Sequence, residues 1–213
     1  MHIIPIGIQC SNKGFKNSIQ QSPTLPFDWM FSTPKFVLEI LTLLLEKNMD
    51  TEEIVRCHFF YCDKTANMIA HENYFEVENG NILYNSKYNV IFPHDVNDEA
   101  TVIKYIRRME RLKDLILNSP EELYFVYSSQ SSLGPGNFTI NGNKILTNVY
   151  SDISKIYKLI SNYRTNYKVT IFDTIQEEDP TELDPNIVLY KLSSCNSWFE
   201  VVQQMMQHRD FFV

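Results

Sequence analysis

Glycine is scarce in this chain, with six among 213 residues. No G-x-S-x-G elbow, no phosphate-binding loop and no dinucleotide G-x-G-x-x-G occurs, which argues against an α/β-hydrolase, a nucleoside triphosphatase and a standard dehydrogenase. Cysteine is also sparse. Four thiols, Cys10, Cys57, Cys62 and Cys195, are too few for a disulfide scaffold. Cys57, His58 and Cys62 open a metal-like spacing, but no second Cys/His pair with zinc spacing follows, so no metal and no cofactor are expected. Positive charge is in deficit: 19 Lys and Arg face 26 Asp and Glu, for a net charge of −7. Duplex binding and anionic membranes both call for a basic surface, so no nucleic acid and no membrane partner is expected. Long apolar runs are missing. The longest, residues 36–47, contains Glu39 and falls well short of the ~20 residues that span a bilayer. The N-terminal stretch has no basic leader, and its apolar run is too short for a signal peptide. The reading is a protein made and kept in a reducing, cytoplasmic compartment.

What is present is ordinary globular material, with 44% hydrophobic and 21% charged residues. Asn, Ile, Lys, Tyr and Phe are abundant, a bias that suggests an AT-rich genome such as that of a low-GC bacterium, a protist or a large DNA virus. No linker, repeat or low-complexity segment breaks the chain, so residues 1–213 read as one domain. Residues 2–9 read as a buried strand, 10–14 as a polar turn and 14–21 as a short helix. Residues 22–32 form a packed irregular loop, and Ser32 or Thr33 caps a helix with Pro34 in its first turn. Asn79-Gly80 signals a hairpin between two alternating runs, and Asn141-Gly142 a second one. Residues 87–92 read as a strand and 98–118 as the clearest helix, its apolar face holding Val102, Ile106, Met109, Leu112 and Ile116. From there helix, strand, helix, strand, strand and helix follow in turn. The fold class is therefore α/β, a three-layer domain with a mostly parallel sheet and β-hairpin insertions.

Ligands of open α/β sheets bind beyond the carboxyl ends of strands, which singles out a few side chains. Cys10 follows the first strand. If the next residues lead into a helix N-terminus, backbone N–H groups and Lys13 would depress its pKa; otherwise it is a small buried cysteine. His94 and Asp95 follow another strand. His94 can serve as a general base, while Asp95 either assists it or caps the next helix. Asp28 lies between Phe27 and Trp29 after Pro26. It either orients a base in an aromatic-walled pocket or caps a turn in a loop plug. Lys104, Arg107, Arg108 and Arg111 share one helix face, read as a solvated face or as an anion or carboxylate clamp near His94. Ser128 to Ser132 offer hydroxyls at a strand end. Asp173 closes the strand of residues 167–174.

In combination, Gly7-Ile8-Gln9-Cys10, Pro26-Phe27-Asp28-Trp29, His94-Asp95 and the Arg107-Arg108-Met109-Glu110-Arg111 helix resemble a family of putative papain-like cysteine peptidases, over roughly residues 3–175. The resemblance implies Cys10 as nucleophile and His94 as its base. It favours functional roles for Asp28, Asp95, Trp29 and the arginines, with Asp173 as a candidate third group. Papain-like enzymes open a long helix with their cysteine and hold their histidine in an antiparallel sheet. Here the residues read instead as a cysteine following a strand in a parallel-sheet chain. The leading expectation is a cysteine-dependent hydrolase acting on a peptide or small molecule. Two alternatives differ in class. A sugar-nucleotide or phosphorylated-ligand enzyme, such as a glycosyltransferase, turns an arginine inward and dispenses with Cys10. A non-catalytic interaction module uses the same motifs to brace the fold.

Overall fold

The computed structural model describes residues 1–7, 10–19, 23–60, 64–70, 75–79, 82–85, 87–88, 90–92, 94–96, 98–128, 139–140, 143–144, 149–173, 183–193, 195 and 198–212. Its first sheet is built from β1 (His2–Pro5), β6 (Leu123–Ser128), β9 (Tyr167–Asp173) and β10 (Val188–Lys191). They lie in the order β1-β6-β9-β10, and every pairing is parallel. Pro5 is accommodated because β1 is an edge strand, where a missing N–H leaves no ladder bond unmade. All six residues of β6 are buried, as expected of an inner parallel strand covered on both faces.

Alternate residues of these strands enter two separate cores. Ile3, Tyr124, Val126 and Phe172 pack with Phe15 of α1 (Cys10–Ile19) and with Val201 and Met205 of α6 (Trp198–Met206). Ile4, Phe125, Tyr127, Val169 and Ile171 pack on the opposite face. Their partners are α2 (Pro34–Leu41), α4 (Glu99–Asn118) and α5 (Val149–Ser161). Helices on both faces of a parallel sheet give the expected three layers. Thr33 caps α2, accepting from the Phe36 N–H at 3.2 Å, and Pro34 takes the first helical position. Phe36, Val37, Ile40, Leu41, Leu44 and Leu45 form its buried stripe, which runs on into a π-helical turn, Thr42–Glu46. A short α3 (Thr51–Glu53) continues into a second π-helical stretch, Ile54–Phe59.

The second sheet differs from expectation in its pairing. It contains β2 (Lys64–Ala70), β3 (Phe75–Asn79), β4 (Ile82–Asn85), β5 (Val90–Phe92), β7 (Thr139–Ile140) and β8 (Asn143–Lys144), in the order β5-β4-β2-β3-β7-β8. β3 and β4 do not pair with each other across Asn79-Gly80. Both pair antiparallel with β2, which lies between them. β2 reads Lys-Thr-Ala-Asn-Met-Ile-Ala, with no apolar alternation to announce a strand. The chain therefore lies on one side of β2 up to Asn79 and on the other from Ile82. β7 and β8 do pair antiparallel around residues 141–142, as their Asn-Gly signal implies. Leu83, Val90, Ile91 and Phe92 join the larger core, so this sheet packs against the same helices. Expectations for Cys62, Gly80 and Ser129 to Ser132 lie outside the described residues.

Candidate functional site

Cys10 follows a strand and also opens a helix. The polar turn expected at residues 10–14 is the first turn of α1, which begins at Cys10 itself. The first N–H groups of a helix have no intrahelical acceptor and carry its positive dipole end, so the chain sets Cys10 at an electropositive point beyond the carboxyl end of β1.

The segment Leu25 to Ser32 links this helix to His94. Asp28 is fully buried. Its carboxylate meets Lys13 Nζ at 3.0 Å and Lys16 Nζ at 3.2 Å, and accepts from the Leu25 N–H at 2.9 Å. Both lysines belong to α1, so Asp28 fastens the loop to the helix that starts at Cys10. Lys16 also donates to the Pro23 carbonyl at 3.0 Å. Burial lowers its pKa to about 8, against the opposing pull of Asp28. Ser32 adds a second tie, donating its hydroxyl to the Gly7 carbonyl at 3.2 Å. On its other side the loop is bonded to β5. The Phe31 N–H donates to the Ile91 carbonyl at 2.9 Å, and the Ile91 N–H returns to the Phe31 carbonyl at 3.2 Å. This places Trp29 edge-on against His94, with ring centroids 5.6 Å apart and planes at 84°.

Trp29, His94, Asp95, Lys104 and Arg108 line a cavity of about 370 Å³. Asp95 is buried, and its oxygens are taken by Lys104 and by the Tyr105 hydroxyl, the latter at 2.7 Å. Asp98, not Asp95, caps α4, accepting from the Thr101 N–H at 2.7 Å. Tyr105 stands among Phe59, Phe60 and Phe92, with ring centroids 4.9 to 5.8 Å away. Its hydroxyl pKa is raised well above the usual value, by burial first and by the Asp95 charge second. The neighbouring π-helical turn is held by Asn85, which donates to the carbonyls of His58 and Phe59 at 3.0 Å each.

The arginine helix does not present one uniform basic face. Its buried positions are Thr101, Tyr105, Met109, Leu112, Leu115 and Ile116, so the apolar stripe is centred nearer Tyr105 than Ile106. Arg108, three residues on from Tyr105, falls at the edge of that stripe. Its guanidinium lies over the Tyr105 ring at 4.8 Å, and its Nη1 is buried without a hydrogen-bond acceptor among the described residues. Arg107 is exposed. Arg111 donates to the Thr24 carbonyl at 2.6 Å, another fastening of the loop.

The two carboxylates expected to orient the imidazole are each held by other groups. Asp28 is held by lysines of α1, and Asp95 by Lys104 and Tyr105. Asp173 lies at the end of β9 with Tyr150 and Lys191 as partners, the lysine at 2.9 Å. Cys57 is exposed, Cys195 is buried beside Gln204, and among the described residues no cluster suited to a metal occurs. Sequence reading missed Lys16 and Tyr105. The spacing of Lys13 and Lys16, one helical turn apart, was the available signal for a shared partner.

The fold and site together define an α/β protein with a cysteine at the mouth of a helix and a histidine on the rim of a basic cavity. The chain matches, over residues 4–194, the family described as "Putative papain-like cysteine peptidase", and it belongs to that family. No curated protein and no solved structure matches it.

Proposed function

We propose that this protein is a thiol-dependent acyl hydrolase or transferase, of peptidase type by its family, with Cys10 as nucleophile and His94 as general acid–base. The observation that carries the reading is the double fastening of the Leu25–Ser32 loop. One side is locked to the helix that Cys10 opens, through Asp28, Lys13 and Lys16. The other side is locked to the strand that leads to His94. A loop braced this way keeps a nucleophile and a base in register, which is where the entropic part of catalysis arises.

In the proposed reaction His94 takes the Cys10 proton, and the thiolate forms a C–S bond to the substrate carbonyl carbon. The N–H groups of the first turn of α1 receive the oxyanion. The C–N bond then breaks, and His94 returns the proton to the leaving amine. Water, deprotonated by the same imidazole, attacks the thioester and releases the acid and the thiol. Asp28 and Asp95 act as positioning residues through the lysines they hold.

The test is the pH dependence of Cys10 alkylation in a variant lacking the other three cysteines, with and without His94→Ala. The expected result is a thiol pKa well below the usual ~8.5 that rises when His94 is removed. An ordinary pKa, indifferent to His94→Ala, would overturn the assignment. One observation favours a second reading, an enzyme for a phosphorylated ligand: Arg108 turns toward the cavity, as that reading requires. It predicts that Cys10→Ser retains full activity.

A further inference from the structure

The least accounted-for group in the molecule is the Arg108 guanidinium. An arginine carries five donors in a fixed planar fork and cannot discard its charge. Here it lies against the Tyr105 ring, 4.8 Å from its centroid, so Tyr105 is a neighbour to its face and hydroxyl edge but not a counter-charge. Its Nη1 is out of contact with solvent and has no acceptor among the described residues. Elsewhere in the fold, cations near the core are met: Lys13 and Lys16 by Asp28, Lys104 by Asp95, Arg111 by a carbonyl. Among the described residues no carboxylate pairs with Arg108, and it lines a cavity of about 370 Å³. The charges around that cavity are Lys104, Arg108 and Asp95, a balance of +1 before His94 is counted. Lys104 is already committed to Asp95, so Arg108 is the cation left to meet a ligand. The other wall is the indole of Trp29, an apolar surface that strengthens charge pairing by excluding water.

We propose that this cavity is an oxyanion seat, in which Arg108 binds a carboxylate or phosphate of the substrate beside His94. The fork geometry suits either group bidentately. The seat deepens the proposed function, since it requires a substrate bearing an anionic group close to its reacting carbonyl. Its occupancy does not depend on Cys10 chemistry. A substrate presenting a cation here would be refused, because no carboxylate is left over to receive it.

Trp29 supplies the readout. In a Trp198→Phe background it is the sole tryptophan, and its emission reports on the cavity. Inorganic phosphate, acetyl-diglycine and acetyl-diglycine amide would be titrated at one fixed ionic strength. The expected result is a saturable change with at least one of the two anions and none with the amide. Arg108→Gln should weaken that binding at least tenfold, and the exposed control Lys35→Gln should leave it within twofold. If phosphate binds more tightly, the natural ligand is phosphorylated. If the peptide acid binds more tightly, it is an acidic or C-terminal carboxylate. No saturable response to either anion, or equal affinity in Arg108→Gln, would overturn the proposal. Should Arg108→Gln fail to fold, Arg108→Lys retains the charge without the fork, and a severalfold loss is then expected; unchanged affinity counts against the seat. Set beside the Cys10 alkylation profile, the titration separates the two claims. Anion binding that survives alongside an ordinary Cys10 pKa removes the catalytic assignment and keeps the seat. A depressed Cys10 pKa without anion binding does the reverse.

Discussion

Replacing Asp28 with asparagine probes the fastening on which the site depends. Asparagine has nearly the same shape and can still accept from the Leu25 N–H, so the change is almost purely one of charge. It leaves Lys13 and Lys16, both buried, with no carboxylate between them. Removing one partner of a buried ion pair costs ~3–5 kcal/mol, a large share of the ~5–15 kcal/mol that holds a typical domain folded. The cost should depend on Lys16. Its pKa stands at about 8 instead of 10.5, so its charge is already disfavoured in the fold at neutral pH. That lowering corresponds to about 3 kcal/mol of disfavoured charge. Lys16→Met, which removes the strained charge, should therefore change stability by less than ~1 kcal/mol or raise it. In the double variant a single lysine faces asparagine, and the penalty of Asp28→Asn should shrink by about 1–2 kcal/mol, as coupled neighbours do. Urea denaturation at pH 7, followed by circular dichroism, measures all four corners. A loss below about 1 kcal/mol for Asp28→Asn, or strict additivity with Lys16→Met, would refute the argument that Asp28 balances the buried lysines.

Lys16 also sets a pH signature. Between about pH 8 and 10 the unfolded chain keeps the Lys16 proton that the folded chain has lost. Stability from this group therefore rises with pH across that window. Above it Tyr105 and Tyr167, whose pKa values are raised mainly by burial, oppose the trend; urea midpoints at pH 7.5, 9 and 9.8 should increase in wild type and stay level in Lys16→Met. Tyr105→Phe removes the 2.7 Å bond to Asp95 and should cost ~1–3 kcal/mol, lowering the melting temperature by several degrees; an unchanged melting temperature would show that Lys104 alone holds the carboxylate. Thr33→Ala strips the cap of α2 immediately after the loop and should cost ~1 kcal/mol, whereas Thr33→Ser should restore most of it in the same denaturation assay.

The parallel sheet was legible because apolar, β-branched runs alternate with amphipathic helices, and that alternation leaves few topologies open. The cap and proline of α2 were legible for a local reason, since they act within one turn of chain. What was hidden is non-local or lacks pattern. The pairing of β2 between β3 and β4 is decided by where three strands settle in a sheet, while the Asn-Gly signal speaks only of a turn. The start of α1 was hidden because Cys10, Ser11, Asn12 and Gly14 are weak helix formers. Its segment carries Lys13 and Lys16 into contact with Asp28, and tertiary contacts of that kind override a poor local propensity.

The same contacts tie motifs far apart in the chain to one loop. Papain-like expectation asks for a cysteine at a helix start and a histidine in an antiparallel sheet, whereas the alternating pattern asks for a cysteine after a parallel strand. Both are satisfied. β1 ends before Cys10 and α1 begins at it. His94 follows β5, a strand of the mostly antiparallel sheet, while the rest of the chain supplies the parallel one. The two sheets need a connector at the site, and Pro26-Phe27-Asp28-Trp29 provides it. Phe27 is buried among Phe36 and Phe59, Asp28 reaches the cysteine's helix, and Trp29 reaches the histidine. Asp28 and Trp29 thus serve different elements, so exchanging either should loosen one side of the proposed catalytic pair.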